Sequence, residues 1–254
     1  MADTITVAER TPRTGTAPGT GAAYLWLLPE HAVTPFAAGL GGDRLLTEEE
    51  RARGARLVTP AARQRFLGRR LLCRYALSDR TGRPLDSWRF TTGRYGRPEP
   101  EPDTDGVRFS LSHTEGLIVC AVTHGRACGV DVEGTAASAE SAHYISRFFA
   151  ADELLELAAL DPADLVARVG DLWVLKEAYL KAQGTGLHRS LAGCSFASRG
   201  PATGRRITVH DTERPGPSAD WSFELLRPTS RHLLALAIEG AQPGALHQTW
   251  LTST

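Results

Sequence analysis

The apolar spacing of this chain runs strand, helices, strands and then repeats that order, and the repetition is the strongest constraint on its fold. A short apolar strand, Tyr24 to Leu28, ends at Pro29 and leads into a loop. Thr47 with Glu50 carries the signature of a capping box, opening a helix that holds Arg51, Arg53 and Arg56. Pro60 opens a second helix to about Leu77, apolar at Phe66, Leu67, Leu71, Leu72 and Tyr75 and dense in arginine elsewhere. After Gly82 the pattern becomes that of strands: 88–92, then 107–112, 117–123 and 127–133 as an antiparallel meander, with a loop over 95–105. The second half has helices over 139–149, 151–160 and 162–183, then strands over 194–197, 205–210, 221–226, 232–238 and 247–251. Residues 200–204 and 215–219 read as hairpin loops. The expectation is an α+β fold of two similar halves, residues 23–127 and 128–254, each with helices on a mainly antiparallel sheet. Residues 1–22, rich in Thr, Gly, Ala and Pro, read as a disordered tail.

The 29 basic and 29 acidic residues balance, so nothing global draws the chain to nucleic acid or to an anionic membrane. Phosphate binding, if present, must come from a local cluster. The four cysteines lie in apolar segments without CxxC or zinc spacing, and read as buried free thiols in a reducing compartment. No apolar run approaches the length of a membrane span, and the first residues lack the apolar stretch of a secretion signal. The expectation is a cytoplasmic protein.

Of the 29 basic residues, only Lys176 and Lys181 are lysine. Both lie with Glu177 near the end of a helix whose apolar positions Leu172, Leu175, Tyr179 and Leu180 stop short of Gly184. Lysine is a compact point charge on a flexible stem, unlike the planar arginine fork. The plain reading of this stretch is a surface Glu177–Lys181 pair. In the strand segment Gly129-Val-Asp-Val-Glu133, Asp131 and Glu133 share one face while Val130 and Val132 point to a core. Adjacent carboxylates repel unless a cation lies between them, and a hard divalent ion such as Mg2+ takes carboxylate oxygens together with substrate phosphates. Glu177 is the candidate third ligand. The alternative is an exposed strand with its acids in water.

Three stretches in fixed order resemble the motifs of the 4′-phosphopantetheinyl transferases, in the larger pseudodimeric, surfactin-type branch. They are Tyr95-Gly-Arg-Pro98 with Phe109-Ser-Leu-Ser-His113, Gly129-Val-Asp-Val-Glu133, and Trp173-Val-Leu-Lys-Glu-Ala-Tyr-Leu-Lys181. The resemblance implies a pseudo-twofold monomer that moves the phosphopantetheine arm of coenzyme A onto a serine of acyl or peptidyl carrier domains, releasing adenosine 3′,5′-bisphosphate. It implies that Asp131, Glu133 and Glu177 hold Mg2+, that Glu177 or a water it orients takes the serine proton, and that Lys176 and Lys181 bind phosphates. It further places Ser112 and His113 at the nucleotide, Arg97 by the adenine or its phosphate, and Arg51, Arg53 and Arg65 among the basic N-terminal contacts. Ser110 stands where the family usually has asparagine, and Val174 where a small residue is usual. A non-catalytic coenzyme A or carrier-protein binding module is the alternative, as is a phosphotransferase using another donor; a binding module need not retain the acidic residues.

Overall fold

The computed structural model describes residues 21–101, 106–135, 138–199, 206–214, 220–240 and 245–252. Residues 1–20 of the expected tail and both expected hairpin loops lie outside them. In chain order the elements are β1 (Ala23–Pro29), α1 (Val33–Leu40), α2 (Glu48–Ala55), α3 (Pro60–Thr81), β2 (Arg89–Thr92), β3 (Pro98–Glu101), β4 (Val107–Thr114), β5 (Leu117–His124) and β6 (Cys128–Gly134). There follow α4 (Ala139–Ser146), α5 (Ala151–Ala158), α6 (Pro162–Ala182), β7 (Cys194–Arg199), β8 (Arg206–Asp211), β9 (Trp221–Thr229), β10 (His232–Glu239) and β11 (Leu246–Trp250). The expected α+β class with helices and antiparallel sheets is what the chain adopts. Two units form, one from the described parts of 1–92, 98–125 and 244–254, the other from 93–97 and 126–243.

In the first unit the sheet order is β11-β1-β5-β4, antiparallel except for the parallel pair of β1 with β11. The expected capping box is present: Thr47 Oγ1 accepts from the Glu50 N–H and the Glu50 carboxylate accepts from the Thr47 N–H. The same carboxylate takes the guanidinium of Arg74, which is wholly buried on α3. α3 begins at Pro60 as expected and closes at Gly82, whose positive φ of 73° gives the left-handed cap. Gly68 lets α3 lie against β5, because a Cβ there would stand 2.7 Å from the Ile118 side chain. Trp26, Leu28, Leu71, Leu72, Trp88 and Ile118 belong to the core of this unit.

Two stretches read as loops are ordered elements. α1 falls in the first, and β3, proline-rich, pairs among the described residues only with β2, where a missing N–H is tolerated. The expected meander also stops one strand early. Both edges of β5 are taken by β1 and β4, so β6 enters the other unit's sheet.

That second sheet has the order β6-β10-β9, all antiparallel, with β7 and β8 as a separate hairpin. α6 covers one face of it. Leu172, Leu175, Tyr179, Phe196, Phe223 and Leu233 are buried together in its core, with Tyr179, Phe196 and Phe223 meeting edge to face. Asp161 caps α6 by accepting the N–H groups of Ala163 and Asp164, and Pro162 takes the first turn. All four cysteines are buried free thiols, as expected. Among the described residues no helix is long and apolar enough to cross a membrane.

Candidate active site

Gly129 sets the distance between β6 and α6. A Cβ at this position would lie 1.9 Å from the Ala178 carbonyl oxygen and 2.4 Å from the Ala182 nitrogen, so only glycine allows the strand to lie on the helix backbone. Asp131 and Glu133 follow at alternate positions on β6, facing the same way, and Val130 and Val132 on the other face are fully buried. From α6, Trp173, Glu177 and Lys181 recur every fourth residue and share one face. Lys181 Nζ donates to Asp131 Oδ1 at 2.6 Å, and Trp173 Nε1 donates to Glu133 Oε1 at 3.3 Å. Lys181 thus pairs from the helix to the strand, and Glu177 is buried, unlike the surface pair of the plain reading.

Four of the residues expected at the site thus converge: Asp131, Glu133, Glu177 and Lys181. Burial raises the Glu177 carboxyl above its ordinary value, the charges of Asp131 and Glu133 add to the rise, and Lys181 opposes it. Glu133 is likewise raised by burial and by Asp131, against the Trp173 hydrogen bond and Lys181. Glu177 is 8% exposed, and its Oε1 is buried with no hydrogen-bond partner among the described residues. No three His, Cys, Asp or Glu side chains among the described residues are gathered into a metal-binding group. The donor chemistry and the orphaned Glu177 oxygen nevertheless suit a hard divalent cation, which would relieve the mutual repulsion.

Arg97 joins this region through the end of α6, where its Nη1 donates to the carbonyls of Lys181 at 2.8 Å and Ala182 at 3.1 Å. Lys176 does not join it. Its ammonium is fully buried on another side of α6, paired with Glu153 at 2.7 Å and donating to the carbonyls of Leu191 and Cys194. The rings of Phe149 and Phe196 stand over it at 5.1 and 5.9 Å. With three acceptors around three N–H donors, it is a structural lysine and not the phosphate ligand expected.

The remaining candidates lie in the first unit. Arg51 donates to the Leu46 carbonyl at 2.6 Å, Arg53 is exposed, and Arg65 pairs with Glu30 at 2.6 Å. On β4, Ser112 is buried and His113 exposed.

Sequence reasoning missed three features of the second unit. One is the Trp173–Glu133 bond. The second is an apolar cleft of about 480 Å3 running from Glu133 and Trp173 along α4 and α6, lined by Ala142, Ile145, Val166 and Leu233 among others. The third is a buried polar network around Asp211, whose carboxylate accepts from Arg189, from Tyr179 Oη at 2.7 Å and from Gln183 at 3.2 Å. Burial pushes Asp211 up, but these donors overcome it and hold the carboxyl well below the usual range. The Cys194 thiol, beside Lys176, is pushed up to about 11, chiefly by burial.

The sequence profile of the 4′-phosphopantetheinyl transferase superfamily matches residues 127–237, which include β6, α6 and the acidic site. The 4′-phosphopantetheinyl transferase HetI of Nostoc sp. is 31% identical over 223 residues, covering 85% of this chain and 87% of its own length. The 4′-phosphopantetheinyl transferase Sfp of Bacillus subtilis is 30% identical over 190 residues, covering 70% of this chain and 82% of its own. Matches of this identity along most of both partners, with Asp131, Glu133, Glu177 and Lys181 assembled inside the matched region, make the chain a member of the 4′-phosphopantetheinyl transferase family.

Proposed function

We propose that this protein transfers the 4′-phosphopantetheine arm of coenzyme A to a serine of apo acyl or peptidyl carrier domains, with adenosine 3′,5′-bisphosphate as the second product. The observation that carries this reading is the convergence of three carboxylates and Lys181 between β6 and α6, in a member of this family. In the transfer, the serine oxygen bonds to the β-phosphorus and the P–O bond to the nucleotide breaks. The serine proton passes to Glu177 or to a water it orients. Lys181, 29% exposed and already turned toward the acids, meets the phosphate charge. Asp131, Glu133 and Glu177 would hold Mg2+, which supplies Lewis-acid stabilisation of the charge on the transferring group. The apolar cleft beginning at Glu133 suits the uncharged length of the arm. Ser112, His113, Arg51, Arg53, Arg65 and Arg97 take the nucleotide end on the strength of the motif resemblance. The reading includes a monomer working in the cytoplasm on carrier domains of peptide, polyketide or fatty-acid synthases.

Intact-protein mass spectrometry of an apo carrier protein incubated with this protein, coenzyme A and Mg2+ tests the proposal. A mass gain of one phosphopantetheine arm is expected, and it is lost with EDTA and with Asp131→Ala. Glu177→Ala is expected to slow transfer by about 100-fold or more while the protein stays folded. Full turnover in folded Glu177→Ala removes that residue from the mechanism, and no gain with several unrelated carriers removes the transfer itself.

A further inference from the structure

We propose that Trp173 is a positioning residue: its indole N–H holds Glu133 in the orientation that presents the carboxylate beside Asp131 and Glu177. The inference rests on the metal-binding reading of those carboxylates. Among the described residues, the bond from Trp173 Nε1 at 3.3 Å is the one hydrogen bond that the Glu133 side chain accepts. The cross-strand neighbour of Glu133 is Leu233, which offers no side-chain donor, whereas Asp131 has Lys181. Each acid of β6 therefore receives a donor from the same face of α6. The two donors differ in kind. Lysine can swing away to meet a phosphate, while the indole is a rigid, donor-only group, its ring lining the cleft together with Ala142, Ile145 and Val166. A rigid donor restricts the rotamer of its acceptor, which is how outer groups orient metal ligands.

The location adds a second argument. Glu133 is half-buried at the next-to-last position of β6, where the Trp173 N–H meets one of its two carboxylate oxygens. A neutral donor aimed at one oxygen leaves the other oxygen for a ligand, without bringing in a competing positive charge.

The test measures metal binding directly. Mn2+ is titrated into the full-length protein with coenzyme A present, and free Mn2+ is read by electron paramagnetic resonance. Trp173→Phe keeps an aromatic ring in the cleft and removes the N–H. It is expected to bind Mn2+ about tenfold more weakly, the low end for an outer-shell partner because the bond is long, with its melting temperature close to wild type. Glu133→Gln serves as the reference for a lost ligand. If Glu133→Gln weakens Mn2+ binding and folded Trp173→Phe binds as wild type does, the positioning role is overturned while the metal reading stands. If the wild type binds no Mn2+, the metal reading falls and this inference falls with it. Should Trp173→Phe fail to fold, the wild type decides the matter: selective labelling of tryptophan gives indole 1H–15N signals, and one of them is expected to move both on Mg2+ addition and in Glu133→Ala. No indole signal responding to Glu133→Ala overturns the proposal.

Discussion

Lys176 and Lys181 are five positions apart on α6, which turns the second about 140° from the first. The two side chains therefore leave the helix on different faces. What the sequence did not display was the destination of Lys176, because Glu153, Leu191 and Cys194 come from three separate segments. Glu153 is equally committed: it also accepts the N–H groups of Ala150 and Phe196. Lys176→Met leaves that carboxylate buried without its cation and is expected to cost about 3–5 kcal/mol, measured as the shift in chemical denaturation. The double variant with Glu153→Gln removes the buried charge but keeps an acceptor oxygen for only one of the two backbone N–H groups, and is expected to recover part of the loss. Asp211 gives the corresponding prediction for pH. Its folded-state value is depressed, so the stability it contributes is fully present above the unfolded carboxylate value of about 3.9 and declines as the pH falls from there toward the folded value. The stability gap between wild type and Asp211→Asn is therefore expected to be wide at pH 7 and narrower at pH 3, compared by denaturant midpoints. An equal gap at both would disconnect Asp211 from acid sensitivity.

Among the elements, those with strong periodicity and clear end signals were legible. Thr47 with Glu50, Pro60, Gly82 and the Pro162 start of α6 all mark boundaries that the structure keeps. α1 was not, because its eight residues hold both a proline and a glycine and follow a short strand. β6 was legible as a strand but not in its partners, since pairing is decided by which edges remain open. Its carboxylates were recognisable as a same-face pair; that Gly129 brings them onto a helix was not, because nothing in a Gly-Val-Asp-Val-Glu string states what lies under the glycine. Gly129→Ala is expected to destabilise by about 3 kcal/mol or more and to abolish transfer, since the clash is with backbone atoms of α6 and no side chain can rotate to relieve it. Thermal melting and the carrier-loading reaction check both halves, and a Gly129→Ala protein with wild-type melting would refute the close approach.

At the scale of the molecule, two hydrophobic cores account for the doubled layout of the sequence, one around α3 and its sheet and one around α6 and its sheet. The exchange that sequence could not show is the return of the chain's last strand: β11 lies parallel beside β1, a pairing across more than two hundred residues that local patterns cannot encode. The lysine inventory has a different consequence, for reagents and not for folding. With Lys176 sealed in the core, Lys181 is the one lysine amine that an acylating reagent in solution can reach. Amine labelling followed by peptide mass analysis is thus expected to modify Lys181 and spare Lys176, and coenzyme A is expected to slow the reaction at Lys181 several-fold if phosphate occupies that end of α6. A protein whose positive surface is otherwise built of arginine carries in Lys181 a built-in chemical reporter of its own site.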